Sequence, residues 1–144
     1  MSEVLANVGC VAIEGHALLI EGPPGSGKSS LALALIDAGG ELIGDDGVTL
    51  TAQGGQLIAS PPPRTAGLIE IRGVGLVSLP ATSAPVVLAI TLDQHAPRLP
   101  DGPAEASWYG IAVPRFALYP DLATLPLRAR WALRQLGTES ICPS

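Results

Sequence analysis

Short apolar runs, bounded by glycine, proline and polar clusters, recur along the chain and read as strands joined by tight turns. Gly9-Cys10-Val11-Ala12-Ile13 and Ala17-Leu18-Leu19-Ile20 flank Glu14-Gly15 and predict a hairpin. From Ser29 a Ser/Ala/Leu stretch with Leu31, Leu33, Leu35 and Ile36 predicts a helix that stops at Gly39-Gly40, a double C-terminal signal. Glu41-Leu42-Ile43-Gly44 then predicts a short strand that ends on two adjacent carboxylates, Asp45 and Asp46. Asp46-Gly47 between apolar runs is a hairpin signal toward Val48-Leu50. A further hairpin is expected where Val48-Thr49-Leu50-Thr51 and Gln56-Leu57-Ile58-Ala59 enclose Ala52 to Gly55.

Past Pro61-Pro62-Pro63, the stretch Gly67 to Leu76 reads as a strand with Glu70 and Arg72 on one face, open equally to a site role and to an ion pair beside a bulge. Branched content makes Ala84 to Leu92 a buried strand, and Asp93 to Ser107 reads as a polar, proline-interrupted loop. Trp108-Tyr109 is expected to pack at a sheet edge. Leu122, Leu125, Leu127, Trp131, Ala132 and Leu136 predict an amphipathic helix over Asp121 to Leu136. Residues 1–137 form one expected domain, with 138–144 as a disordered tail.

Composition narrows the partners. At 144 residues the chain accommodates one domain with a substantial core. Eight basic against thirteen acidic side chains give a net charge of -5, with no basic run, so the electrostatic footprint of a nucleic-acid binder is absent. No apolar run approaches the roughly 18 residues of a membrane span, and Glu3 stands where a secretory leader would be basic, so a cytoplasmic protein is expected. Cys10 in a strand and Cys142 in the tail offer neither a disulfide framework nor metal-ligand spacing.

The chemistry centres on Gly22-Pro23-Pro24-Gly25-Ser26-Gly27-Lys28-Ser29, which fits G-x-x-x-x-G-K-[ST] at every defined position, after a predicted strand and before a predicted helix. Such a loop turns backbone N–H groups toward phosphate oxygens, and the helix adds its positive end. Lys28 is the one lysine of the sequence and is expected to reach the outer phosphates, with the Ser29 hydroxyl on Mg²⁺. Phosphoryl transfer further needs a held metal and a carboxylate to orient the attacking hydroxyl, and Asp45 and Asp46 can supply both.

Gly22 to Ser29, Leu42-Ile43-Gly44-Asp45-Asp46 and Leu68-Ile69-Glu70-Ile71-Arg72-Gly73-Val74-Gly75-Leu76, in this order and separation, resemble the catalytic domain of HPr kinase/phosphorylase in its short form without an N-terminal domain. The resemblance covers about Gly9 to Leu79. It implies an α/β P-loop nucleotide-binding domain with a mixed, largely antiparallel sheet of the phosphoenolpyruvate-carboxykinase kind. It also implies an ATP- and Mg²⁺-dependent kinase for a serine of HPr, the phosphocarrier of the sugar phosphotransferase system, with phosphorolysis in reverse and hexamers as the family's assembly.

By the same resemblance Asp46 is the base, Lys28 steadies the phosphoryl group, Ser29 and Glu70 bind the metal, and Asp45 supports it or its waters. Ser30 completes the nucleotide-binding segment where the family usually has an acidic residue, and Arg98 lies where the family carries a functional arginine after the strand Val86-Leu92, a catalytic candidate by resemblance and otherwise a solvated loop arginine. Asn7 occupies the position of a functional histidine, with His16 and His95 the two histidines elsewhere in the chain. The Pro/Arg/Gly-rich loop that longer members use for phosphorolysis has no counterpart beyond Ile111-Ala112-Val113-Pro114-Arg115, and the C-terminal helix lies where the family engages the protein substrate, with closure of the core as the alternative reading. A small-molecule kinase and a nucleotide sensor without transfer chemistry are the alternative functions.

Overall fold

A computed structural model describes residues 2–99 and 104–137, so the expected tail at 138–144 lies outside the described residues. The elements run β1 (Ser2–Ala6), β2 (Gly9–Ile13), β3 (His16–Glu21), α1 (Lys28–Asp37), β4 (Glu41–Gly44), β5 (Gly47–Gln53), β6 (Gln56–Ser60), β7 (Leu68–Ile71), β8 (Gly75–Ser78), β9 (Ala84–Leu92), β10 (Ala104–Trp108), β11 (Ile111–Leu118) and α2 (Leu125–Ala132). A π-helical turn, Leu133–Gly137, continues α2.

One nine-stranded sheet has the order β1-β5-β6-β9-β3-β2-β4, with β11 joined to β9 and β10 to β11. Among the paired strands only β3 with β9 and β9 with β11 are parallel; β1·β5, β2·β3, β2·β4, β5·β6, β6·β9 and β10·β11 are antiparallel. The mixed, largely antiparallel α/β architecture expected from the sequence is therefore the observed one. The hairpins β2-β3 and β10-β11 turn through paired left-handed residues, Glu14 with Gly15 and Tyr109 with Gly110, which matches the strands' own twist.

Alternation along the central strands divides the core into two layers. Leu18, Ile20, Leu88, Ile90 and Leu92 face α1 and α2, where Leu31, Leu35, Leu125 and Ala129 cover them. Ala17, Leu19 and Ala89 face the other way and pack with Ile43, Val48, Leu50 and Leu57, from β4, β5 and β6. Cys10 is wholly enclosed in this second layer, where burial pushes its thiol pKa up.

Four expectations change. The strands beside Asp46-Gly47 do not form a hairpin: β4 pairs with β2, whereas β5 pairs with β1 and β6. The chain turns a corner there so tight that a Cβ on Gly44 would run into the Gly47 carbonyl. The stretch 67–76 is two strands, β7 and β8, closed by the Val74 N–H donating to the Ile71 carbonyl at 2.9 Å; this puts Arg72 in the turn and separates it from Glu70. The Glu70–Arg72 ion pair is not formed.

The expected loop from Asp93 to Ser107 contains β10, whose hydrogen-bonding partner β11 supplies the order that its own composition does not announce. Finally, the C-terminal helix buries Leu125, Ala129 and Ala132 while Leu127 and Trp131 stay exposed, so its inward face is narrower than the apolar spacing suggested. Trp108 and Tyr109 pack against the second core layer at the sheet margin, as expected.

Candidate functional site

β3 carries the chain to Glu21, and the loop from Gly22 to Gly27 leads into α1. Gly27 is the residue before the helix, at φ 105, and a Cβ there would lie 2.9 Å from Leu122 Cδ2, so both backbone and space call for glycine. The Ser26 N–H donates to the Pro23 carbonyl at 3.1 Å and closes the loop. Lys28 Nζ folds back over it, donating to the Gly22 carbonyl at 2.7 Å and the Pro23 carbonyl at 3.0 Å. The α1 N-terminus thus presents its positive end beside the one ammonium group, the arrangement that holds polyanions. Ser30 stands exposed on the first turn.

Two further segments meet at this helix start. Ser29 Oγ donates to Asp45 Oδ1 at 2.7 Å, and the Glu70 backbone N–H donates to Asp45 Oδ2 at 3.1 Å. Asp45 therefore ties the first turn of α1, the end of β4 and the backbone of β7 into one cluster, with Glu70 an exposed residue of β7. A serine hydroxyl and two carboxylates are hard oxygen donors, the set that suits Mg²⁺. Asp46 is exposed at the corner, and its backbone carbonyl accepts the Asn7 N–H at 3.0 Å. Asn7, at φ 63, adopts the left-handed conformation that asparagine tolerates better than most residues. Asn7 thus adjoins the expected base through its backbone.

Other expected residues are placed elsewhere. His16 begins β3, whose far end enters the loop, so five strand steps, roughly 17 Å, separate it from the phosphate site. Arg98 lines a cleft of about 590 Å³ with Phe116, Arg128 and Trp131, and no residue of the phosphate loop borders that cleft.

Two features went unnoticed in the sequence. Arg115, from the Ile111–Arg115 stretch, grips Glu21 just before the loop: Nε to Oε1 at 3.0 Å and Nη2 to Oε2 at 3.1 Å, with Thr91 Oγ1 donating to Oε1 at 3.1 Å. His95 borders a second cavity, about 440 Å³, whose other wall is Pro23 to Ser26. Among the described residues no helix is long and apolar enough to cross a membrane.

Residues 2–83 match the family model described as the HPr Serine kinase C-terminal domain. The HPr kinase/phosphorylase of Clostridium tetani (strain Massachusetts / E88) is 42% identical over 71 residues, 49% of this chain and 23% of that protein. The HPr kinase/phosphorylase of Clostridium botulinum (strain Eklund 17B / Type B) is 44% identical over 69 residues, 48% of this chain and again 23% of the relative. The chain thus spans less than a quarter of the length of these relatives. The solved structure of the Hpr(Ser) kinase/phosphatase from Coxiella burnetii superposes with a TM-score of 0.76 at 27% identity, covering 92% of this chain and 93% of that one. The loop, the aspartate pair and Glu70 all fall inside the matched span, which is more than half of the sequence, and the chain belongs to the HPr Serine kinase C-terminal domain family.

Proposed function

We propose that the chain is an ATP- and Mg²⁺-dependent protein kinase that phosphorylates a serine of HPr. The observation that supports this most is the meeting of Ser29, Asp45 and Glu70, from three separate segments, at the start of the helix that carries Lys28. Relatives similar to this chain bear the name HPr kinase/phosphorylase, and the present residues offer the parts that such a transfer requires.

The loop backbone and the α1 N-terminus bind the polyphosphate, and Lys28 leaves the Gly22 and Pro23 carbonyls for the outer phosphate oxygens. Ser29 and Glu70, with Asp45 beside them, would hold Mg²⁺, which when bound neutralises charge on the phosphates. Asp46 takes the proton of the incoming serine hydroxyl as its oxygen bonds to the γ-phosphorus. The bond between that phosphorus and the bridging oxygen breaks, and ADP leaves. Run backwards with inorganic phosphate as the acceptor, the same groups supply phosphorolysis, with Asp46 returning the proton to the serine oxygen. Arg98, which lines the cleft three residues past His95, is the remaining catalytic candidate in this scheme.

Purified chain with labelled ATP, Mg²⁺ and HPr tests the reading. Lys28→Ala and Asp46→Asn should each lower transfer to HPr by at least about a hundredfold, the scale of general-base and charge-stabilising contributions. Near-normal transfer in either variant removes that residue from the mechanism. A second reading, a nucleotide sensor without transfer, is favoured by Asn7, whose amide cannot shuttle a proton where the family has histidine. ATP binding with no label on HPr, unchanged by Asp46→Asn, would establish it.

A further inference from the structure

A nucleoside triphosphate has two ends, and the reading above, on which the following rests, accounts only for its phosphates. The metal-holding cluster of Ser29, Asp45 and Glu70 lies against one flank of the phosphate loop. On another flank, Pro23, Pro24 and Ser26 form one wall of the cavity of about 440 Å³, and Asp93, Gln94 and His95 form the facing wall. We propose that this cavity is the nucleoside subsite, seating the base and ribose of ATP while the phosphates lie along the loop.

The volume falls in the range of small-molecule pockets, roughly 300–1,000 Å³. The larger cleft around Arg98 has no phosphate-loop residue on its wall and cannot receive a group tethered there by a few bonds. The chemistry of the walls also fits. Two prolines and an imidazole offer flat faces against which a base stacks, and the Gln94 amide brings both donors and an acceptor to a base edge.

The facing wall is pre-shaped. The Asp93 N–H donates to the Leu118 carbonyl at 3.0 Å, and the Ala96 N–H donates to the Asp93 carbonyl at 3.1 Å. Asp93 Oδ1 accepts the His95 N–H at 2.8 Å, which fixes the histidine backbone and leaves Oδ2 to accept a ribose hydroxyl.

Binding of ATP and of inorganic tripolyphosphate, each with Mg²⁺, to the full chain separates this subsite from the phosphate site. The wild-type chain should bind ATP more tightly than tripolyphosphate. His95→Ala should weaken ATP binding about tenfold, the scale of a lost base-stacking contact, and leave tripolyphosphate affinity unchanged. Gln94→Ala should act in the same direction, and both side chains are exposed, so folding is not at stake. Unchanged ATP affinity in both variants overturns the subsite, as does an equal loss for both ligands, which would mark an effect on the loop itself. A wild-type chain that binds the two ligands equally overturns the subsite alone. One that binds neither overturns the proposed kinase with it.

Discussion

Asp45 has both carboxylate oxygens engaged, one by the Ser29 hydroxyl and one by the Glu70 N–H, although it is only partly buried. On the proposed kinase reading, Asp45 would steady the Ser29 hydroxyl and the Glu70 backbone beside the metal. Asp45→Asn replaces one acceptor by a donor and should raise the Mg²⁺ concentration for half-maximal ATP binding about tenfold, the scale on which supporting groups tune metal sites. Binding of tripolyphosphate without Mg²⁺ should stay as in the wild type, and equal curves for both proteins would deny Asp45 this part. Lys28 and Ser29 stood out in the sequence by their place in the glycine loop, and Asp45 and Asp46 as a carboxylate pair after a strand, whereas Glu70 drew its expected part from the family resemblance. Glu21 and Arg115 were not: they lie 94 positions apart, and no local spacing links a strand-end glutamate to an arginine after a proline. His95 was visible as a residue but without a partner, since what faces it comes from the other end of a crossover.

At the scale of elements, the sequence was most informative where one face of a strand or helix had to be buried. β9 appears with the expected bounds, because nine residues rich in Val, Leu and Ile can be satisfied only between two covered faces. β1 was missed because it lies at the sheet margin, mostly exposed, and owes its conformation to pairing with β5. The β7-β8 hairpin was missed because apolar residues continue through its turn, leaving Val74 and Leu76 exposed. In α2 the spacing of leucines overstated the buried face. Leu125 is fully enclosed, whereas Leu127 is 57% exposed. Leu125→Ala should therefore destabilise the chain by about 2–5 kcal/mol, and Leu127→Ala should stay within about 0.5 kcal/mol. Urea denaturation of the two variants decides between this geometry and a symmetric apolar stripe, in which the losses would be similar.

Across the whole molecule, three neighbouring strands, β3, β9 and β11, run parallel and end together beneath the phosphate loop. Glu21, Thr91 and Arg115 bind those ends to one another. The Arg115 side chain is 34% exposed and that of Glu21 is 22% exposed, so solvent screens the pair in part. Arg115→Met should cost about 1 kcal/mol, because it leaves a half-buried carboxylate unpaired. Glu21→Gln in the same chain should recover part of that loss, as read from thermal midpoints, and a double variant no more stable than Arg115→Met would show that the ion pair is not the source. The topology behind this contact could not be read from a single sequence, since β9 draws partners from both halves of the chain. The excess of hairpins over helix crossovers pointed to a mixed, largely antiparallel sheet, but not to the order of its strands.

Lys28, folded onto two carbonyls of its own loop, shows what the resting protein keeps ready. Its ammonium always has an oxygen to face, so an arriving phosphate takes over an existing partnership and does not have to strip water from an unaccompanied cation. On the proposed kinase reading, the charge wanted at the γ position would be lent by the peptide backbone, and recruiting it would be an exchange of acceptors by one side chain.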